Sequence, residues 1–128
     1  MYNAAVIDTD PYTLETMARL LENNSYISRV ACFSRLPDFF SELEKGWIHI
    51  AFIRVGGPEL QGLSLAMKII KVSPATRVVF MAGIAGYAIM AFEEGARGYL
   101  LLPADQRRLD EVIENIRRRD HRERGDPC

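Results

Sequence analysis

The sequence predicts an α/β fold, a doubly wound five-stranded parallel sheet with a helix after every strand. Three observations carry this. Five short apolar runs recur along the 128 residues, separated by stretches of helical periodicity. Three of those runs are apolar throughout rather than alternating, as strands covered on both faces are. No linker, internal repeat or low-complexity tract breaks the alternation, which implies right-handed β-α-β crossovers with helices on both faces.

Residues 4–7 (Ala-Ala-Val-Ile) make the first strand. From Pro11 to Asn23 the apolar Leu14, Met17, Ala18 and Leu21 repeat at three- and four-residue spacing, giving a helix with one core-facing stripe. Residues 27–33 form the second strand, and Cys32 within that apolar run is expected as a small buried hydrophobe. The helix over 36–43 follows Ser34, whose hydroxyl suits an N-cap, and its Phe39-Phe40 pair belongs to the core. Residues 48–53 are the third strand, with His49 near the far end of the sheet. A helix over 63–70 is apolar nearly all round. Residues 78–81 make the fourth strand, 87–92 a short helix and 99–102 the fifth strand. Leu109, Val112, Ile113 and Ile116 form one stripe on a last helix.

With 48% apolar and 26% charged residues, a chain of this length builds one domain around one core. A net charge of −1 supplies no general attraction for nucleic acid or anionic lipid. No apolar run reaches the ~18 residues of a membrane span. The strand at 4–7 begins too soon to leave room for a signal peptide, so the chain is expected in the cytoplasm. Cys32, Cys128, His49 and His121 offer neither metal-ligand spacing nor a disulfide framework, so no metal and no cofactor are expected.

Charge gathers near the C-terminus, where seven of the sixteen basic residues fall between Arg107 and Arg124. Residues 117–124 hold five arginines against Asp120 and Glu123. This run is either the solvated end of the last helix, favoured there by the helix dipole, or the start of a linker or basic contact surface. Eight residues without a reading helix do not make a DNA-binding element. Residues 1–119 are accordingly expected as the folded domain, with 120–128 as a basic tail or linker start.

In a doubly wound sheet, function collects beyond the carboxyl ends of the strands, beside the switch point. Those junctions are Asp8-Thr9-Asp10, Arg54-Val55-Gly56-Gly57, Ala82-Gly83 and Leu102-Pro103. Gly56-Gly57 with Gly62 is not a phosphate loop, because no Lys-Ser/Thr follows and the spacing is wrong for a dinucleotide.

Together the junctions resemble the receiver domain of bacterial two-component response regulators, over residues 3 to about 118. Val6-Ile7-Asp8-Thr9-Asp10-Pro11 is similar to that family's opening strand and acidic cluster. Pro58, Gly62-Leu63 and Leu65-Ala66 match the loop and helix after its phosphoacceptor strand. Ala91-Phe92-Glu93-Glu94-Gly95-Ala96-Arg97-Gly98-Tyr99-Leu100 matches its fourth helix and fifth strand, and Leu102-Pro103 stands where the family has Lys-Pro. Residues 87–99 resemble receivers joined to LytTR-type DNA-binding modules. The resemblance implies a flavodoxin-like (βα)5 fold with strand order 2-1-3-4-5. It also implies a carboxylate nucleophile for a phosphoryl group, Mg²⁺ on neighbouring acids, and a Lys and a Ser/Thr that grip the product.

Three of those parts are replaced. Arg54 stands for the aspartate, Ala82 for the hydroxyl residue and Leu102 for the lysine, while Thr9 replaces one metal-binding acid and leaves Asp8. A guanidinium stays protonated and cannot form an acyl phosphate. The family's acids and lysine leave about −2 for Mg²⁺, whereas Asp8 and Arg54 sum to zero. The chain is therefore expected to be a degenerate receiver, not an enzyme. Arg54 either points to solvent or folds into the pocket and pairs with Asp8. Phosphorylation of Asp8 or Asp10 instead stays open.

Signalling without phosphate has to pass through protein contact. The resemblance implies the face made by the fourth helix, fifth strand and fifth helix, binding a protein partner or a second copy. Here that face includes Tyr87, Ile89, Met90, Arg97 and Tyr99. Tyr99 occupies the family's aromatic-switch position, with no hydroxyl at residue 82 to latch it. It is either a half-buried aromatic or part of a fixed surface. Ile89 and Met90 are neighbours on a short helix and cannot both face inward. Two other functions stay open. One is the N-terminal regulatory domain of a DNA-binding transcription regulator. The other is a small-ligand-binding flavodoxin-like domain, against which stands the lack of a His, Cys or carboxylate pair beside the strand ends.

Overall fold

The computed structural model describes residues 1–55 and 64–123. Strand β1 (Tyr2–Ile7) leads to α1 (Pro11–Glu22), β2 (Ile27–Phe33) to α2 (Leu36–Leu43), and β3 (Ile50–Arg54) to α3 (Leu65–Val72). Strand β4 (Arg77–Ala82) leads through a 3-10 turn at Ala85–Tyr87 to α4 (Ala88–Glu93), and β5 (Gly98–Leu101) to α5 (Gln106–Glu123). The strands pair in parallel in the order β2-β1-β3-β4-β5, as expected.

The alternation of side chains along β1 sorts the core into two layers. Ala4 and Val6 face α1 and α5, where Met17, Leu21, Leu109, Ile113 and Ile116 pack with Phe52 and Met81. Ala5 and Ile7 face α2, α3 and α4, where Phe39, Leu43, Ile69 and Ala91 pack with Ile53 and Phe80. Both faces of the central strands are thus covered, which is why those strands read as continuous apolar runs. Phe39, Phe52 and Phe80 are completely buried, and each such burial stabilises the fold by ~1.5–3 kcal/mol. Gly98 marks where α5 presses on β5. A Cβ there would lie 3.0 Å from Val112 Cγ1 and 3.3 Å from Val79 Cγ2.

Several local expectations change. Helix α2 is capped by Arg35 without a side-chain bond, not by Ser34, because Leu36 and Pro37 already make its first turn. Cys32 is exposed rather than buried. It lies on β2, an edge strand whose middle is only partly covered. His49 sits just before β3 rather than in it, although its N–H donates to Asn3 O (2.9 Å) and its carbonyl accepts from Arg77 N–H (2.8 Å). Helix α3 begins at Leu65. Gly56, Gly57, Pro58, Gly62 and Leu63 lie outside the described residues, as do residues 124–128.

Helix α5 runs to Glu123, so residues 120–123 of the expected tail are helical. Asp120 is buried at its inner side. It accepts from Tyr2 Oη (2.7 Å), Arg77 Nε (3.1 Å) and Arg77 Nη2 (2.9 Å). The neighbouring arginines are paired along the helix, Arg117 and Arg118 with Glu114 and Arg119 with Glu123. Among the described residues, no helix is long and apolar enough to cross a membrane.

Candidate functional site

Parallel register sets four strand ends in one row. Ile7 pairs with Ile53, Arg54 with Met81, and Ala82 with Leu101. Asp8, Arg54, Ala82 and Leu102 therefore stand side by side along the carboxyl edge of the sheet. The Leu102 N–H donates to Ala82 O at 2.7 Å, which continues the ladder into this row.

Asp8 is the buried acid of this row. Its side chain is 4% exposed. Its Oδ1 accepts from Thr9 N–H (2.7 Å) and, at 3.4 Å, from Asp10 N–H, while Oδ2 accepts from Arg54 Nη1 (3.0 Å). Of the two placements open to Arg54, the structure has the paired one. The arginine is 31% exposed, so the pair lies between a surface bridge and a buried one.

Asp10 has a different task. It is the N-cap of α1, accepting from Tyr12 N–H at Oδ1 (3.1 Å) and from Thr13 Oγ1 at Oδ2 (2.9 Å). The Thr13 hydroxyl first, and then the Tyr12 N–H, hold its carboxyl below the usual carboxylate range. The sequence carried a signal for this cap, since Asp followed by Pro at the first helical position is a helix start.

Magnesium needs several oxygens in near-octahedral array. Thr9 brings no carboxylate, Asp10 turns to α1, and Arg54 places a cation 3.0 Å from the Asp8 oxygen that a metal would need. No group of three acidic, His or Cys side chains among the described residues is placed to hold a metal. These donors do not fit Mg²⁺. Ala82 is buried in the core, and Leu102 packs partly buried on the α1–α5 side.

The expected contact residues separate into three groups. Tyr87 and Tyr99 are partly buried against the core, and Tyr99 Oη donates to Ile84 O at 2.5 Å, tying β5 to the loop before α4. Desolvation raises the Tyr99 phenol above its ordinary range. Ile89 is 76% exposed and Met90 is exposed beside it, so neither faces inward. Ile84 and Phe92, which sequence reasoning passed over, are exposed with them. Arg97 lies at the other end of β5, where it pairs with Glu123 at 3.1 Å.

Comparison with known proteins agrees with this layout. The family model for the response regulator receiver domain matches residues 4–114. The transcriptional regulatory protein BtsR of Escherichia coli (strain K12) is 29% identical over 119 residues, covering 91% of this chain and 48% of its own. The sensory transduction protein LytR of Staphylococcus epidermidis is 22% identical over 113 residues, covering 88% of this chain and 45% of its own. The chain thus spans about half the length of the curated relatives it matches. The solved response regulator DrrB of Thermotoga maritima has the same fold, with a TM-score of 0.78 at 23% identity over 94% of this chain and 54% of that one.

Proposed function

This chain belongs to the response regulator receiver domain family of two-component signalling, and from that premise we propose a receiver that works without phosphorylation, through protein contact. The observation that carries the proposal is the Arg54–Asp8 pair. A permanent cation occupies the strand end where the family places its nucleophile, and it holds the remaining acid at 3.0 Å. No group in the row takes the place of the missing nucleophile, hydroxyl or lysine. Receiver domains generally signal rather than catalyse, and this site supplies no reason for an exception.

The contact face in this reading is α4, β5 and α5, engaged by a protein partner or a second copy. Exposed Ile89 and Met90 would lie at its centre. The Tyr99–Ile84 bond supports a face held in one state, because nothing at residue 82 competes for the tyrosine. The domain itself binds no nucleic acid in this proposal, and it acts in the cytoplasm. A second reading draws on BtsR, a transcriptional regulatory protein of which this chain matches about half. In that reading the same face governs a DNA-binding output domain.

Sedimentation velocity over a concentration series, with and without acetyl phosphate and Mg²⁺, tests the independence from phosphate. The expected result is one association curve under both conditions, weakened by Ile89→Glu. A curve that shifts with the phosphodonor would refute the proposal.

A further inference from the structure

We infer that a second copy of this chain docks on the outer crests of α3 and α4, with α3 of each copy lying on α4 of the other. This goes beyond the preceding reading, because β5 and α5 stay free for a different protein. The two helices follow adjacent parallel strands and pack on the same face of the sheet. Ile69 on α3 and Ala91 on α4 are fully buried and mark the side of each helix that faces the core. A Cβ on Gly95, just after α4, would lie 3.2 Å from Ile70 Cδ1, so the residue after Ile69 reaches toward α4. The helices run parallel. The residue after Ala91, Phe92, therefore points the same way, which is away from α3.

Positions two residues either side of a core position lie about 160° from it, on the outer crest. The crest of α3 carries Met67 and Lys71, and that of α4 carries Ile89 and Glu93. On both helices an exposed apolar side chain is followed one turn later by a charge, basic on α3 and acidic on α4. Helix α3 holds no acid and α4 no base. Neither Lys71 nor Glu93 makes a side-chain hydrogen bond or ion pair among the described residues. On α5, by contrast, Arg117 and Arg118 pair with Glu114, and Arg119 with Glu123. A two-fold axis along the groove between the helices makes the pattern self-complementary. Lys71 of each copy then approaches the partner's Glu93, while Met67 and Ile89 leave water at the centre. Setting α3 on α3 would oppose lysine to lysine, so charge selects the exchanged arrangement.

Sedimentation velocity of the full chain over a concentration series tests this, with charge reversal as the discriminating step. Lys71→Glu alone and Glu93→Lys alone each place two like-charge contacts in the dimer, and each should weaken association by roughly tenfold. Mixed in equal amounts, the two variants restore both opposite-charge contacts in the heterodimer, so the mixture should associate nearly as the wild type does. Phe92→Glu, on the flank turned away from α3, should leave association unchanged. All three side chains are exposed, so these variants keep the fold. A wild-type chain that stays monomeric, single variants that associate normally, or a mixture no tighter than either variant would each overturn the interface. Association broken by Phe92→Glu yet indifferent to both reversals would overturn it and leave the proposed face of α4, β5 and α5 standing. An association curve that shifts with acetyl phosphate and Mg²⁺ would instead remove the proposed function and not this interface.

Discussion

At the scale of single residues, Arg54 and His49 make the sharpest demands. Arg54→Ala would leave a carboxylate that is 4% exposed with no cation, while the lost arginine was itself one-third open. A loss of ~1–3 kcal/mol in urea unfolding is expected, between the surface and buried limits. A loss below about 1 kcal/mol would show that the pair is a surface feature. His49 accepts the Asn3 N–H at Nδ1 (2.8 Å), which requires that nitrogen to be unprotonated. Burial, then the charges of Arg77 and the N-terminus, hold the ring below its ordinary 6.5. The unfolded chain then binds more protons than the folded one. Stability should be full above pH 6.5 and fall as the pH drops below it. A His49→Gln variant, measured over the same range, should show a shallower fall, and equal slopes would contradict the assignment. The Arg54 substitution was legible in the sequence, but whether it points to solvent or pairs with Asp8 was open until the structure placed the two side by side. Cys32 was misread because an apolar run does not reveal how little of an edge strand is covered.

At the scale of elements, α5 is held in its middle and at its C-terminal end by different means. Its middle packs Leu109, Ile113 and Ile116 into the core, the stripe that periodicity predicts. Its last turns depend on Asp120, which joins Tyr2 of β1 and Arg77 of β4 to the helix. Asp120→Ala should cost ~2–4 kcal/mol, since it leaves a half-buried guanidinium without its carboxylate. It should also raise amide exchange in residues 117–123. Protection equal to wild type in those residues would show that the network is not what anchors the helix. In the sequence this acid lay hidden inside an arginine-rich run and read as part of a tail. Its role depends on contacts across 118 and 43 residues, which no local pattern carries. The motif from Gly95 to Leu100 was easier to interpret. Gly95 turns the chain at φ +98°, and Gly98 admits the close approach of α5.

At the scale of the molecule, the apolar runs and their spacing were sufficient for a doubly wound parallel sheet, and its strand order followed from the resemblance to receiver domains. The replacements at Arg54, Ala82 and Leu102 were legible for a related reason. These positions are strand ends, and strand ends align once the order is known. The exposure of Ile84 and Phe92 was not legible, since an apolar residue type does not reveal that no neighbouring element covers it. A receiver of this kind takes no phosphoryl group, and intact mass after incubation with acetyl phosphate and Mg²⁺ is the deciding measurement. An unchanged mass is the predicted result, while a single phosphoryl adduct, whether on Asp8, Asp10 or another residue, would contradict it.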